Sequence, residues 1–208
     1  MIYRNFIEGA GARAIGVAYP QQSNLAFDAE NCRMAMLWQE NFIDASRHWT
    51  GRGQGFEAPL GENVLKLPDG IVFSTQPIAE SWPTEFAAEA RPQFKGYRFD
   101  SLRQPIFKYV VNDVTIEDQP LPEVVDERPL IKRRLRFAST GSKTISYLAA
   151  VGDSIEVNDS IIKVGENYKT KLTNVKEFKL IKVGGKQAAI AIIDLSSGSA
   201  EVEQSYDW

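Results

Sequence analysis

The fold is decided by the stretch Pro105-Ile-Phe-Lys-Tyr-Val-Val-Asn-Asp-Val-Thr-Ile-Glu-Asp118. Two runs rich in β-branched and aromatic residues flank the dipeptide Asn112-Asp113, and such runs favour strands. Asn and Asp tolerate the positive φ that a two-residue hairpin turn requires. The stretch therefore predicts two antiparallel strands joined by a tight turn.

Similar signals continue towards the C-terminus. Asn-Asp recurs at Asn158-Asp159, between the strand-like runs Ser154–Val157 and Ser160–Val164, and Val183-Gly-Gly-Lys186 predicts a third hairpin. The remaining strands are predicted at Phe94–Phe99, Leu130–Phe137, Thr144–Val151, Glu177–Val183, Gln187–Leu195 and Ala200–Trp208. Strands that arrive every 8–12 residues or so between turns are typical of a β-sandwich.

The N-terminal half also shows β signals. A meander is predicted from the apolar runs Arg13–Tyr19, Asn24–Asp28 and Cys32–Trp38. Residues 76–92 shift to a proline-containing composition, which marks a linker or crossover. We therefore expect an all-β fold, an antiparallel β-sandwich. It is organised either as two packed β-subdomains, 1–80 and 93–208, or as one continuous domain.

Strand alternation assigns side chains to faces, because successive residues point to opposite sides of a sheet. Lys132, Arg134 and Arg136 should share one solvated face. In the last strand, one face should hold Ala200, Val202, Gln204, Tyr206 and Trp208. The only cysteine, Cys32, should be a buried free thiol on the strand face that also carries Met34, Met36 and Trp38.

Composition excludes several classes of function. The 208 residues carry a net charge of -3, which gives no electrostatic case for binding nucleic acid. No apolar run approaches the roughly 20 residues of a membrane span. One histidine and one cysteine are too few for a zinc or iron–sulfur site, and covalent haem attachment lacks its Cys-x-x-Cys-His motif. Calcium stays open, but the Asn-Asp pairs already have a turn explanation, so we expect no metal and no cofactor.

The long polar loop at 44–63 is the candidate functional segment. Its distinctive side chains are Asp44, Arg47, His48, Trp49 and Arg52, which we expect to cluster at one edge of the sheet as a ligand-binding site. An ion pair of Arg47 or Arg52 with Asp44 would instead give the loop a purely structural role. A hydrolase built on His48 is a third possibility, but no Gly-x-Ser-x-Gly elbow accompanies it.

Aromatic residues make carbohydrate the easiest ligand to motivate. Sugar rings expose apolar C–H faces that stack on aromatic side chains, while polar groups bind the hydroxyls. Trp49 and Trp82 would serve such a role or would hold long loops in place. Trp38 is more simply explained as a core residue. Paired carboxylates for glycoside hydrolysis are unavoidable among 27 acidic residues and are a weak signal.

One set of stretches in the chain is distinctive: Tyr3-Arg4-Asn5-Phe6, Gly9–Val17, Asn24–Ala29, Cys32-Arg33, Trp38, Phe42–Ala45, Trp49 and Gly51-Arg52-Gly53, with Phe94–Asp100 and Pro105–Tyr109 further on. Together they resemble a module of large exported proteins from planctomycetes and related bacteria. It implies an extracytoplasmic, β-rich accessory domain beside c-type cytochrome and quinoprotein-glucose-dehydrogenase-like propeller domains. Residues 1–6 carry no signal-peptide h-region, so the location follows from the resemblance alone.

Three functional hypotheses follow. The leading one is a non-catalytic accessory domain that binds carbohydrate. The second is a carbohydrate-active enzyme, a mutarotase-like or glycosidase-like sandwich that uses His48 and nearby carboxylates. The third is a structural domain that docks onto a neighbouring cytochrome or propeller domain. A shallow aromatic platform would favour sugar binding, a cleft lined by His48 and two carboxylates would favour the enzyme, and an exposed apolar patch would favour docking.

Overall fold

A computed structural model of the chain describes residues 1–46, 55–78, 80–83 and 86–208. Strands make up 62% of the structure and helix 2%, which confirms the all-β prediction. In these ranges the helical content is a short 3₁₀ turn at Ala88–Ala90. No helix among the described residues is long and apolar enough to cross a membrane.

The described strands form three antiparallel sheets. The five-stranded sheet follows chain order and contains β1 (Ile2–Ile7), β2 (Gly11–Ala18), β3 (Ser23–Asp28), β4 (Arg33–Gln39) and β5 (Glu62–Lys66). The eight-stranded sheet contains, from edge to edge, β12 (Ile155–Asn158), β13 (Ile161–Val164), β14 (Tyr168–Leu172), β17 (Ser199–Asp207), β10 (Arg128–Ser139), β9 (Val114–Val125), β8 (Pro105–Val111) and β7 (Gln93–Phe99). The four-stranded sheet contains β15 (Glu177–Val183), β16 (Lys186–Asp194), β11 (Thr144–Gly152) and β6 (Phe73–Ser74).

Two of the three predicted hairpin turns form where expected. Val111 pairs with Val114 across Asn112-Asp113, and Asn112 takes the positive φ, at 53°. Gly184 and Gly185 join β15 to β16 with φ values of 56° and 83°. At the hairpin predicted to be centred on Asn158-Asp159, the predicted register is wrong by one residue. Asn158 still pairs with Ile161, so the turn residues are Asp159 and Ser160.

Strand β9 runs past its predicted end at Asp118, through Pro120 and Pro122, to Val125. Proline removes an N–H from a ladder and is tolerated where a strand has no neighbour on that side. The pairing of β8 with β9 ends at Phe107 and Asp118, so beyond that point β9 pairs with β10 alone. The prolines therefore lie where one side of the strand carries no ladder.

The inner face of the eight-stranded sheet is covered by the other two sheets. Phe27 of β3 stacks on Phe107 of β8, with ring centroids 4.1 Å apart and planes 7° from parallel. Phe73 of β6 contacts the ring of Tyr109 and stacks on Tyr147, at 5.9 and 4.7 Å. The largest buried cluster draws residues from all three sheets. It therefore includes both predicted halves, 1–80 and 93–208, whose independence stays a prediction.

A β-bulge corrects the face predicted for Cys32. Ala26 pairs with Met36, but its neighbour Phe27 pairs with Met34, so one extra residue is inserted in β4. Cys32 and Met34 consequently join the main core, whereas Met36 and Trp38 join a smaller cluster on the opposite face. The prediction that Cys32 is a buried free thiol is confirmed, and Trp38 is a fully buried core residue as expected.

The charged and apolar faces of β10 and β17 agree with the alternation. Lys132 and Arg134 form ion pairs with Glu203 at 2.8 and 3.4 Å, and Arg136 pairs with Glu201 at 2.7 Å. On the other face of β17 lie buried Val202, Gln204 and Tyr206, as predicted. The basic run is thus a cross-strand ladder of ion pairs with the acidic residues of β17.

Candidate functional site

The structure describes one of the five predicted loop residues. Asp44 lies just before a turn at residues 45–46, and one of its carboxylate oxygens accepts a hydrogen bond from the Ser46 N–H at 2.9 Å. Arg47, His48, Trp49 and Arg52 lie outside the described residues. The predicted cluster, the ion pair of an arginine with Asp44 and the enzyme built on His48 therefore all stay predictions.

Described residues of this loop are held by backbone contacts. Ile43, just before the loop, forms an isolated bridge with Pro59 within it. Also within the loop, the Glu57 N–H donates to the Phe6 carbonyl at 2.8 Å, and the Glu8 N–H donates to the Glu57 carbonyl at 2.9 Å. These bonds place this part of the loop alongside the end of β1.

An exposed aromatic pair lies where this part of the loop runs beside the end of β1. The rings of Phe6 and Phe56 meet edge to face, with centroids 5.9 Å apart and planes at 88°. Edge-to-face packing is a favourable arrangement for two rings because the positive edge of one meets the negative face of the other. Phe6 is nevertheless 48% exposed and Phe56 50% exposed, so much of this aromatic surface faces solvent.

Phe6 also lines a groove beside β1, which we call the β1 groove. Its volume is about 410 Å³, and its principal side chains are Arg4, Asn5, Phe6, Arg13 and Phe94. β1 and β2 form one wall, and Phe94 brings in edge strand β7. A volume of this size lies within the range of about 300–1,000 Å³ usual for small-molecule sites.

Polar groups in the β1 groove are held by local contacts. The Arg4 guanidinium lies over the Tyr97 ring, 5.1 Å from its centroid. The Asn5 side-chain amide donates to the Tyr3 hydroxyl at 2.9 Å. Among the described residues, neither Arg4 nor Arg13 has a carboxylate within 4.0 Å. The groove therefore combines an aromatic wall with two cations that lack an ion-pair partner in this part of the chain.

A second cleft lies where the β7–β8 turn approaches the start of the chain. It has a volume of about 380 Å³, and Met1, Phe99 and Leu102 line it. These side chains are 73%, 49% and 75% exposed. Three exposed apolar side chains thus border this cleft, which has the character that we expected of a docking patch.

Sequence reasoning missed a buried polar network between the sheets. The Arg133 guanidinium donates to both carboxylate oxygens of Asp118, at 2.7 and 2.5 Å, and to the Tyr147 hydroxyl at 2.8 Å. Tyr109 donates to Asp118 at 3.1 Å, and Tyr147 donates to the Gln204 side chain at 2.8 Å. All of these side chains are within the core, so the network has no route to a ligand.

The network is electrostatically matched. Burial acts to lower the pKa of Arg133, but the charge and hydrogen bonds of Asp118, together with Tyr147 and Tyr109, hold that pKa above its ordinary value. Burial, and then the Asp118 charge, raise the pKa of Tyr109 well above its ordinary value. Arg133 and Tyr109 therefore keep their protons, and we assign the network to structure and not to catalysis. Its sequence signal was a charged residue at an inward position on each of two adjacent strands.

Metal-ligating side chains do not converge in the described ranges: no group of three or more His, Cys, Asp or Glu residues there is placed to hold an ion. Trp82 is buried, and its indole N–H donates to the Ile71 carbonyl at 2.9 Å. Trp82 therefore holds its loop in place, one of the two roles that we considered for it.

No protein-family model, curated protein or solved structure matches this chain. The resemblance to the planctomycete module thus stays a prediction, as do the extracytoplasmic location and the neighbouring cytochrome or propeller domain that it implies.

Proposed function

We propose that this chain is a non-catalytic accessory domain that binds carbohydrate in the β1 groove. The observation that carries the proposal is the exposed edge-to-face pair of Phe6 and Phe56 at the groove, 5.9 Å apart. Large apolar side chains that stay half exposed together commonly mark a binding surface. The apolar C–H face of a sugar ring would stack on the Phe6 ring and would displace water from both surfaces.

The surroundings of the pair fit the same ligand. Asn5, Arg4 and Arg13 supply hydrogen-bonding groups beside Phe6, as a ring with several hydroxyls requires. The bonds from Glu57 to Phe6 and Glu8 hold the aromatic pair on β-structure. Backbone hydrogen-bonded in this way reduces the conformational entropy that a ligand would have to remove on binding.

Glycan-array screening followed by calorimetry tests the proposal. Phe6→Ala and Phe56→Ala should each weaken binding of the selected glycan about tenfold or more, which corresponds to about 1.4 kcal/mol. Both side chains are half exposed, so the melting temperature should change little. Leu180→Ala is the matched control, because Leu180 is also an exposed apolar residue, at 55%, on β15 of a different sheet. An array on which the wild-type protein retains no glycan would contradict the proposal.

Docking onto a neighbouring domain is the second candidate function. It is favoured by one observation, the exposed apolar cleft of Met1, Phe99 and Leu102. Apolar surface of this kind is buried at domain contacts, and a cytochrome or propeller domain would be the partner implied by the resemblance. Leu102→Glu should abolish such a contact and leave glycan binding unchanged, which separates the two functions by calorimetry and co-elution.

A further inference from the structure

We infer that the β1 groove selects glycans that carry carboxylate groups, such as chains of uronic acid. This inference rests on the proposed carbohydrate binding and adds the chemical class of the ligand. The observation behind it is a pair of arginines that line the same groove and that have no carboxylate within 4.0 Å among the described residues.

Both arginines line the β1 groove. Arg4 pairs directly with Ile15 of β2. Ala14 pairs with Asn5 and Gly11 with Ile7, so Ala12 and Arg13 stand together opposite Phe6 at a β-bulge. Long side chains on paired strands reach one another over such short separations. Two like charges in this arrangement repel each other unless an anion lies between them.

Most other described arginines have an acidic partner. Arg98 pairs with Glu117 at 3.0 Å, and Arg128 pairs with Asp207 at 2.9 Å. The pairing of β2 with β3 brings one acid close to Arg13. Asp28 pairs with Ala14, which is the next residue after Arg13.

Asp28 is already engaged and does not neutralise Arg13. Its carboxylate binds the Arg33 Nε at 3.3 Å and the Asn31 amide at 2.8 Å, and it is only 3% exposed. Among the described residues, no carboxylate therefore neutralises the two arginines, and an external anion would supply the missing charge.

Arg4 is held in a conformation suited to binding a carboxylate. Its guanidinium carbon lies 5.1 Å from the centroid of the Tyr97 ring, and Arg4 forms no ion pair with a described residue. The planar fork of N–H donors is thus oriented while its donors remain available for bidentate recognition of a carboxylate.

A charged sugar fits the groove better than an acidic peptide does. The exposed Phe6 and Phe56 rings offer an aromatic surface beside the cations, and a uronic acid presents a C–H face and a carboxylate on the same ring. A run of acidic peptide side chains would satisfy the arginines but leave the aromatic pair uncovered. The combination on this surface therefore favours the glycan.

Calorimetry with matched glycans tests the inference. The probes are an oligogalacturonate, its methyl ester, and a polyglutamate peptide of equal charge. Methyl esterification removes the charge and keeps the sugar chain. The wild-type protein should bind the acid at least about tenfold more tightly than the ester, and the difference should shrink as salt is added, because salt screens exposed charges. The double variant Arg4→Gln, Arg13→Gln should lose this preference and still bind the ester weakly.

Arg103→Gln is the matched control, because Arg103 is exposed and lines the other cleft. Equal affinity for acid and ester would overturn the inference while leaving carbohydrate binding intact. Polyglutamate binding as tightly as the oligogalacturonate would overturn it as well, because charge alone would then explain recognition. Failure of the wild-type protein to bind any glycan would instead contradict the proposed function. The wild-type comparison of acid and ester decides the matter even if the double variant does not fold.

Discussion

Arg133 and Asp118 form a two-pronged ion pair in the core, with N–O distances of 2.7 and 2.5 Å. Their side chains are 2% and 1% exposed. The pair joins β9 to β10, and through Tyr147 it reaches β11 of the four-stranded sheet. It therefore links two sheets with directional bonds where the surrounding core is apolar.

Removing the acidic partner should be costly. Asp118→Asn leaves the Arg133 guanidinium buried without its countercharge, and breaking a buried pair in this way costs about 3–5 kcal/mol. Urea unfolding monitored by circular dichroism measures the loss. Glu201→Gln is the control, since it removes the partner of the exposed Arg136 and should cost at most about 1 kcal/mol. Similar small losses in both variants would show that the buried pair does not stabilise the fold.

The fold was predictable because turn chemistry and alternation act locally. Asn112, Gly184 and Gly185 adopt the positive φ that a tight turn requires, so their hairpins follow from short stretches of sequence. The second Asn-Asp turn slipped because pairing decides the register, and Asn158 is held by its ladder partner Ile161.

Features that depend on distant contacts were not predictable. The bulge in β4 arises from the pairing of β4 with β3. The extra residue puts Met36 on the opposite face from Met34. Alternation puts Arg133 on the inward face of β10, but its pairing with Asp118 depends on the register of β9 and β10, which neither strand reveals alone. The contact between Phe6 and Phe56 was not predictable for the same reason, because the two rings are 50 residues apart in the chain.

The Cys32 thiol should react slowly in the folded protein. Burial, and then the charge of Asp28, raise its pKa to about 12, so the reactive thiolate is scarce at neutral pH. Colour development with a disulfide reagent at pH 8 should follow the rate of unfolding. The same protein in concentrated urea should react at once, which serves as the control. Rapid modification of the native protein would show that Cys32 is accessible.

Asp113 should make stability sensitive to acid. Its carboxylate accepts hydrogen bonds from the hydroxyls of Ser139 and Ser142 and from the N–H groups of Ser142 and Gly141. These bonds, the one from the Ser142 hydroxyl above all, hold the pKa of Asp113 well below its usual range. A lowered folded-state pKa stabilises the fold above the unfolded-state pKa of about 3.9, and this contribution is lost as the pH falls below that value.

The Asp113→Asn variant measures this effect. The difference in unfolding free energy between wild type and variant should be largest near neutral pH and should shrink as the pH falls below about 4. Asp153→Asn is the control, because the Asp153 side chain is 92% exposed and its nearest ion-pair distance is long, 3.8 Å to Lys186. A difference for Asp113→Asn that stays constant over this pH range would contradict the role assigned to its charge.

Chemical-shift mapping by NMR tests the central claim most directly, because it locates a ligand on the folded protein without any substitution. Isotope-labelled protein would be titrated with the glycan that the array selects. Binding in the β1 groove predicts amide shifts concentrated in residues 3–8, 12–15 and 55–57, with the cleft of Met1, Phe99 and Leu102 unaffected. Shifts centred on that cleft, or no saturable shifts at all, would contradict the claim that the β1 groove binds carbohydrate.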